Sequence, residues 1–294
     1  MKKRGWLTVV IIFGGLFAML VVFSLIVVSA FGDGAMLGGK RIGVVEVKGP
    51  ITESKKMVED LRRFEEKKSI AGIVVRIDSP GGAVAPSQEM YSAVKEAKKT
   101  KPVAVSMGST AASGGYYIAC GADTIYANPG TITGSIGVIT QLFNVNKLLD
   151  HIDVDVETVK TGKYKDSGSP FREFTEEDRE YFTRLIEDIY DQFVGHVAKS
   201  RGLETSRVEE LADGRVFTGR QAKEHGLVDE VGSFHDTVEF VKKEAEIEGE
   251  VELAYPPKEE IGFLSRAVEG MSKTVSNELK NESTPLFEYR YVGP

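Results

Sequence analysis

The sequence has one cysteine, Cys120, and only four histidines in 294 residues. A single thiol rules out an intrachain disulfide, and at this length a buried core can hold the fold without one. Cys120 lies in an apolar run and reads as core filler. A basic excess is also missing. The formal charge is −7, and it becomes −10 without residues 1–32, which carry Lys2, Lys3 and Arg4 and no acid. That sign argues against a nucleic-acid partner. The histidines are poorly placed for a Ser/His/Asp triad, which is thus unsupported though not excluded. His196 falls inside a long helical pattern, while His151, His225 and His235 sit in polar helical or turn contexts, so each reads as a surface residue.

What the sequence does have begins at its N-terminus. Trp6 to Val28 is an uncharged apolar run of 23 residues, long enough to cross ~30 Å of hydrocarbon as a helix. Lys2, Lys3 and Arg4 precede it, so the positive-inside rule puts residues 1–5 in the cytoplasm and the rest of the chain on the extracytoplasmic side. The reading is a retained single-pass anchor over residues 6–28. The competing one is a signal peptide cleaved after Val28-Ser29-Ala30, for which the apolar run is too long. A glycine-rich linker over 29–40 holds the remainder of the chain close to the bilayer.

From Arg41 short apolar runs alternate with amphipathic segments: strand 42–47, helix 55–67, strand 70–77, helix 86–98, strand 102–107. That is the pattern of βαβ units on a parallel sheet buried on both faces. A short helix near 113–121 and strands near 124–127 and 154–159 come next. Thr175 then opens the longest helix, with Asp178 completing a near capping box and Gly202 ending it. A capped helix at 218–226, a helix near 234–245 and a strand near 251–254 bring the domain, 41–255, to its end. The tail, 256–294, contains one amphipathic pattern over 261–279. Its last ten residues, Pro285 to Pro294, are expected to be mobile, and as an extended aromatic segment they could add as a strand to a groove, as substrate or plug.

Two glycine turns come after buried strands. In Asp78-Ser79-Pro80-Gly81-Gly82 paired glycines allow backbone N–H groups to approach a ligand, although a plain βα turn would read the same way. In Ser109-Thr110-Ala111-Ala112-Ser113-Gly114-Gly115 a serine stands at a strand-to-helix corner, the carboxyl edge where open α/β sheets bind ligands. A helix cap is the plainer account of Ser113. A lysine can serve a serine as base if desolvation lowers its pKa. The candidate stretch is Thr161-Gly162-Lys163-Tyr164-Lys165-Asp166, which pattern alone cannot tell from solvated surface.

Taken together, Ala112-Ser113-Gly114-Gly115-Tyr116-Tyr117, Ser79-Pro80-Gly81-Gly82, Thr133-Gly134-Ser135-Ile136-Gly137, Gly162-Lys163-Tyr164-Lys165 and Val216-Phe217-Thr218-Gly219 through Gly226-Leu227-Val228-Asp229 resemble the short form of the signal peptide peptidase A family. The resemblance runs from about Arg41 to Phe240 and includes the preceding anchor. It implies an α/β, Clp-protease/crotonase-like fold and a serine endopeptidase that degrades remnant signal peptides at the membrane. By it Ser113 is the nucleophile, Lys165 the general base and Ser135 the hydroxyl that orients the lysine, while the N–H groups of Gly82 and Gly114 form an oxyanion hole and Lys163 is a bystander. It implies no metal and no cofactor, and ring or dome homo-oligomers, an octamer among them, with sites near subunit contacts. Two other classes stay open on the residues alone: a crotonase-like acyl-CoA enzyme, which shares the glycine-built oxyanion hole, and a catalytically silent membrane scaffold.

Overall fold

The structure, a computed structural model, describes residues 13–24, 40–257 and 287–291. Its elements run α1 (residues 13–24), β1 (Arg41–Lys48), α2 (Lys55–Glu66), β2 (Ile70–Ser79), β3 (Gly81–Ala83), α3 (Val84–Ala97), β4 (Val103–Ala112), α4 (Gly114–Ala119), β5 (Thr124–Ala127), β6 (Ile132–Gly134), α5 (Asn146–His151), α6 (Glu176–Arg201), α7 (Thr205–Leu211), β7 (Val216–Thr218), α8 (Gly219–Glu224), β8 (Glu230–Val231), α9 (Phe234–Glu244), β9 (Glu252–Ala254) and β10 (Glu288–Arg290).

Successive side chains of a strand point to opposite faces, and the central strands supply apolar groups to both. Val45, Val47, Ile73, Val75, Ile77, Val103 and Val105 join the core that α2 and α3 close with Met57, Leu61, Phe64, Met90 and Val94. The intervening Ile42, Val74 and Ala104 pack instead with Val238 and Val241 of α9. This two-sided burial explains why the runs read as near-continuous apolar strands. β9, β1, β2 and β4 lie side by side in parallel.

β4 is longer than the expected strand, running past Met107 to Ala112. Its first half pairs with β5, through Ala104–Ser106, and its last three residues, Thr110–Ala112, pair with β6. The small residues Gly108–Ala112 have little strand propensity of their own; β6 holds them extended. The sheet is mixed rather than wholly parallel, because β7 joins β6 antiparallel. A second, two-stranded sheet pairs β10 with β3.

Helix ends follow the expected chemistry. Thr175 and Asp178 form a reciprocal capping box on α6, and Gly202 closes it in the left-handed conformation at φ 63°. Thr218/Gln221 and Ser233/Asp236 cap α8 and α9 in the same way.

Two expectations are overturned. Residues 154–159 form no strand: Val154, Val156 and Val159 are exposed, and among the described residues no strand pairs with their backbone. The chain end is not a free end at 287–291, where Glu288–Arg290 form β10 and Tyr289 is completely buried. Most of the anchor expected at 6–28, and the amphipathic pattern at 261–279, lie outside the described residues. Among the described residues no helix is long and apolar enough to cross a membrane.

Candidate active site

Ser113 and Ser135 come directly after paired residues of parallel neighbours, since Ala112 of β4 stands opposite Gly134 of β6. Adjacent strands lie ~4.8 Å apart, so the two serines are neighbours at the carboxyl edge of the sheet. Ser113 N–H donates to the Gly134 carbonyl at 2.8 Å, tying the corners together. Both serines have positive φ, 53° at Ser113 and 50° at Ser135. At Ser113 ψ is −114°, a sparsely populated conformation for a residue with a side chain, which costs on the order of 1–3 kcal/mol and persists only where surroundings impose it. Those surroundings are the bond to Gly134 and one from Tyr117 N–H to the Ser113 carbonyl at 2.8 Å. The Ser113 hydroxyl makes no capping hydrogen bond on α4, which removes the plainer account of this residue.

Both serines open into a cavity of 490 Å³ that is also bordered by Ile139, Glu187, Asp213 and Arg290. Among the described residues its lining includes no histidine and no lysine. Asp213 is held at a pKa of about 2 by its hydrogen bonds from Arg215, so it is no base near neutral pH.

The turn from β2 into β3 stands beside Gly114. Ser79 Oγ donates to the Gly49 carbonyl at 2.7 Å and accepts from Gly81 N–H at 3.1 Å, fixing the turn against the loop after β1. Gly81 could not carry a side chain: a β-carbon there would lie 2.7 Å from the Gly114 nitrogen. Gly81 and Gly114 therefore face the same strip of space beside Ser113: β-carbons on them would lie 2.0 and 3.1 Å from the Tyr289 carbonyl oxygen, and Gly82 is the residue paired with Tyr289.

That strip is occupied by the chain's own C-terminal segment. β10 runs antiparallel to β3, with Tyr289 opposite Gly82, and on its other side Glu288 exchanges backbone hydrogen bonds with Ile139. A groove that bonds an extended peptide on both edges is the arrangement a peptidase needs. Sequence reasoning missed the Ile139 edge and the pocket under Tyr289, which Tyr117 and Phe193 build. The pair of tyrosines soon after Ser113 is the signal that could have found the pocket.

A profile of peptidase family S49 matches residues 95–248. The chain belongs to peptidase family S49. A second profile, Clp protease, matches residues 40–133. A Synechocystis protein named as a protease is 47% identical over 199 residues, 67% of this chain and 72% of that one. An Enterococcus faecium protein named signal peptide peptidase SppA is 38% identical, over 79% and 72% of the two chains. A Methanocaldococcus jannaschii protein named as a protease is 33% identical over 89% of each. Among solved structures, a point mutant of ClpP1 from Listeria monocytogenes aligns with a TM-score of 0.47 and 17% identity, covering 66% of this chain and 94% of that one. As a family S49 member the chain is a serine peptidase.

Lys165 stands elsewhere in this S49 chain. It is exposed, in a run of turns, and does not line the Ser113 cavity. Its segment docks on the first half of α6: Tyr164 stacks on Tyr181 and Lys163 pairs with Glu177. The cavity touches α6 at Ile186, Glu187 and Tyr190, roughly 10 Å further along at ~1.5 Å per residue. His196 is not the surface residue expected; it stacks on Tyr91, and its Nδ1 is hydrogen-bonded with the Tyr117 hydroxyl.

The Lys165 segment is anchored by an ion cluster. Arg172 donates to Asp178 at 2.8 Å and to Asp166, next to Lys165, at 3.3 Å. That guanidinium holds the Asp178 carboxyl well below the usual carboxylate range. Its contribution to stability is therefore complete above pH ~4 and fades as pH falls below that value. Arg172→Ala leaves Asp178 buried without its cation and should remove about 1–3 kcal/mol, read as a lower urea midpoint at pH 7. The gap between variant and wild type should narrow steadily as the same measurement is taken into acid.

Proposed function

We propose that the chain is a membrane-anchored endopeptidase of the Ser/Lys type that degrades remnant signal peptides. The observation that carries the peptidase chemistry is Ser113, held at positive φ at the open end of a groove whose two edges bond an extended peptide. In this reading Ser113 Oγ attacks the peptide carbonyl. The Gly82 and Gly114 N–H groups receive the charge that develops on its oxygen, and Lys165, steered by Ser135, takes the serine proton. A fluorophosphonate should label Ser113 and leave Ser113→Ala untouched; an unlabelled wild-type chain would sink the reading.

Lys165 reaches such a site when it is brought by a second copy of the chain. The segment that carries it displays Phe143, Leu148, Ile152, Val154, Val156, Val159, Tyr164 and Phe171 to solvent, an apolar surface of the kind that marks an interface. Homo-oligomers with sites at subunit contacts, which the family resemblance implies, would cover it. Mixing Ser113→Ala with Lys165→Ala chains tests this directly. Random head-to-tail assembly should restore activity to about a quarter of wild type, whereas a dyad closed within one chain gives none.

The anchor rests on the apolar run at 6–28, and the substrate class on the relative named signal peptide peptidase. Full-length protein should partition with membranes and a chain starting at residue 40 should not. An equal distribution of the two would remove the anchor.

A further inference from the structure

The turn that carries Lys165 is tied down on both sides of that residue. Ser167 N–H donates to the Tyr164 carbonyl at 3.2 Å, which makes Lys165 and Asp166 the two central residues of the turn. Lys163 pairs with Glu177, the Tyr164 ring stacks on Tyr181 at 5.1 Å, and Ser169 N–H donates to the Asp166 carbonyl at 3.0 Å. Lys160 clamps the same stretch from the other side: its Nζ donates to the Lys163 carbonyl at 3.2 Å and to an Asp166 carboxylate oxygen. Lys165 itself is exposed, and among the described residues its side chain has no hydrogen-bond or ion-pair partner.

The charges around the turn are balanced. Lys160 and Arg172 share Asp166, Arg172 also meets Asp178, and Lys163 meets Glu177. Those cations and carboxylates, from the segment and from α6, sum to zero. Asp166 counts most, because it adjoins Lys165 and its side chain is only 11% exposed, where salt screens little. Lys163 and Glu177 are both well exposed, so their pair is screened and Lys163 stays a bystander. Hydrogen bonds from Lys160 first and Arg172 second hold the Asp166 carboxyl below the usual carboxylate range, so it is an anion throughout the neutral range. A carboxylate beside an amine favours the ammonium form, which cannot take a proton. Bound to Lys160 and Arg172, this one is neutralised and kept off Lys165.

We propose that Lys160 and Asp166 are positioning residues for the catalytic base: their contact presents Lys165 at the tip of the turn and neutralises the one carboxylate that would otherwise hold it as an ammonium ion. The proposal rests on the reading of Lys165 as the base.

The test is the pH dependence of kcat and KM at low ionic strength for full-length Lys160→Met, Asp166→Asn and the double variant, beside Lys165→Ala, with a urea midpoint for each. Lys160→Met leaves Asp166 short of a cation, so the rising limb of the pH–rate profile should move to higher pH by roughly half a unit, the size of effect that one charge has near a protein surface. Asp166→Asn leaves a cation in surplus and should move the limb to lower pH by a similar amount. The double variant is balanced again, and its limb should return close to the wild-type position. In all three the clamp is lost, so the turnover number should fall about tenfold with KM little changed. A purely structural role would lower activity at every pH in step with the urea midpoint and leave the limb in place. With Lys165→Ala inactive, an unmoved limb in both single variants, or shifts in the same direction, overturns this proposal alone. An active Lys165→Ala overturns the reading of Lys165 as the base and this proposal with it.

Discussion

Alanine at Ser113 or at Lys165 is expected to abolish peptide hydrolysis, leaving less than a few per cent of wild-type turnover, and the double variant should be no worse than either single one. A nucleophile and its base act as one unit, so losing one already forfeits what the pair supplies. Ser113 can be truncated without disturbing the fold, because its hydroxyl caps nothing and its backbone is held by Gly134 and Tyr117. The strained backbone gives a second readout: Ser113→Gly should be as inactive as Ser113→Ala but more stable by about 1 kcal/mol, since glycine adopts positive φ without penalty. Lys163→Ala is the control on the other side. Lys163 is paired with Glu177, which raises its pKa and keeps it a cation, the wrong state for a base. It should lose little turnover. Activity above a few per cent in Lys165→Ala, or a collapse in Lys163→Ala, would move the base from one lysine to the other.

The parts legible in the sequence are those whose periodicity and end chemistry agree. α6 is marked by a capping pair at Thr175 and Asp178 and a glycine at 202, and the helix keeps those limits. β1 and β2 are marked by apolar runs that two helical layers cover. Residues 154–159 mislead because alternating valines satisfy a strand pattern, while a strand also needs a partner, and among the described residues none pairs with this segment. The end of β4 is illegible for the opposite reason: Gly108-Ser109-Thr110-Ala111-Ala112 has weak strand propensity, and pairing with β6 overrides it. The tail reads as a free end because chain position gives no hint of the slot between Tyr117 and Phe193. At the site, the serine and glycine positions are visible as residue types at turns. Their backbone angles are not, since serine at positive φ is something only the assembled sheet edge imposes.

Ser135→Ala should lower the turnover number by ~10²-fold with little change in KM, the size of effect expected for a group that positions an acid or base. The requirement at this place is a partner that holds a neutral amine in line with the Ser113 hydroxyl without favouring the ammonium form. A hydroxyl can accept from the amine and donate to it, whereas a carboxylate stabilises the charged state. Ser135 comes after the β6 residue opposite Ala112, its N–H is fixed to the Arg215 carbonyl at 2.9 Å, and it opens into the same cavity as Ser113. A substrate-binding role would instead raise KM at constant turnover, so the two parameters separate the accounts. The sharper test is Ser135→Asp. The base works only as the free amine, so activity rises as pH rises. A carboxylate placed beside an amine favours its ammonium form, and the rising limb of the pH–rate profile should shift to higher pH while Ser135→Ala moves it little. Wild-type turnover in the alanine variant, or an unshifted limb in the aspartate variant, would remove Ser135 from the catalytic group.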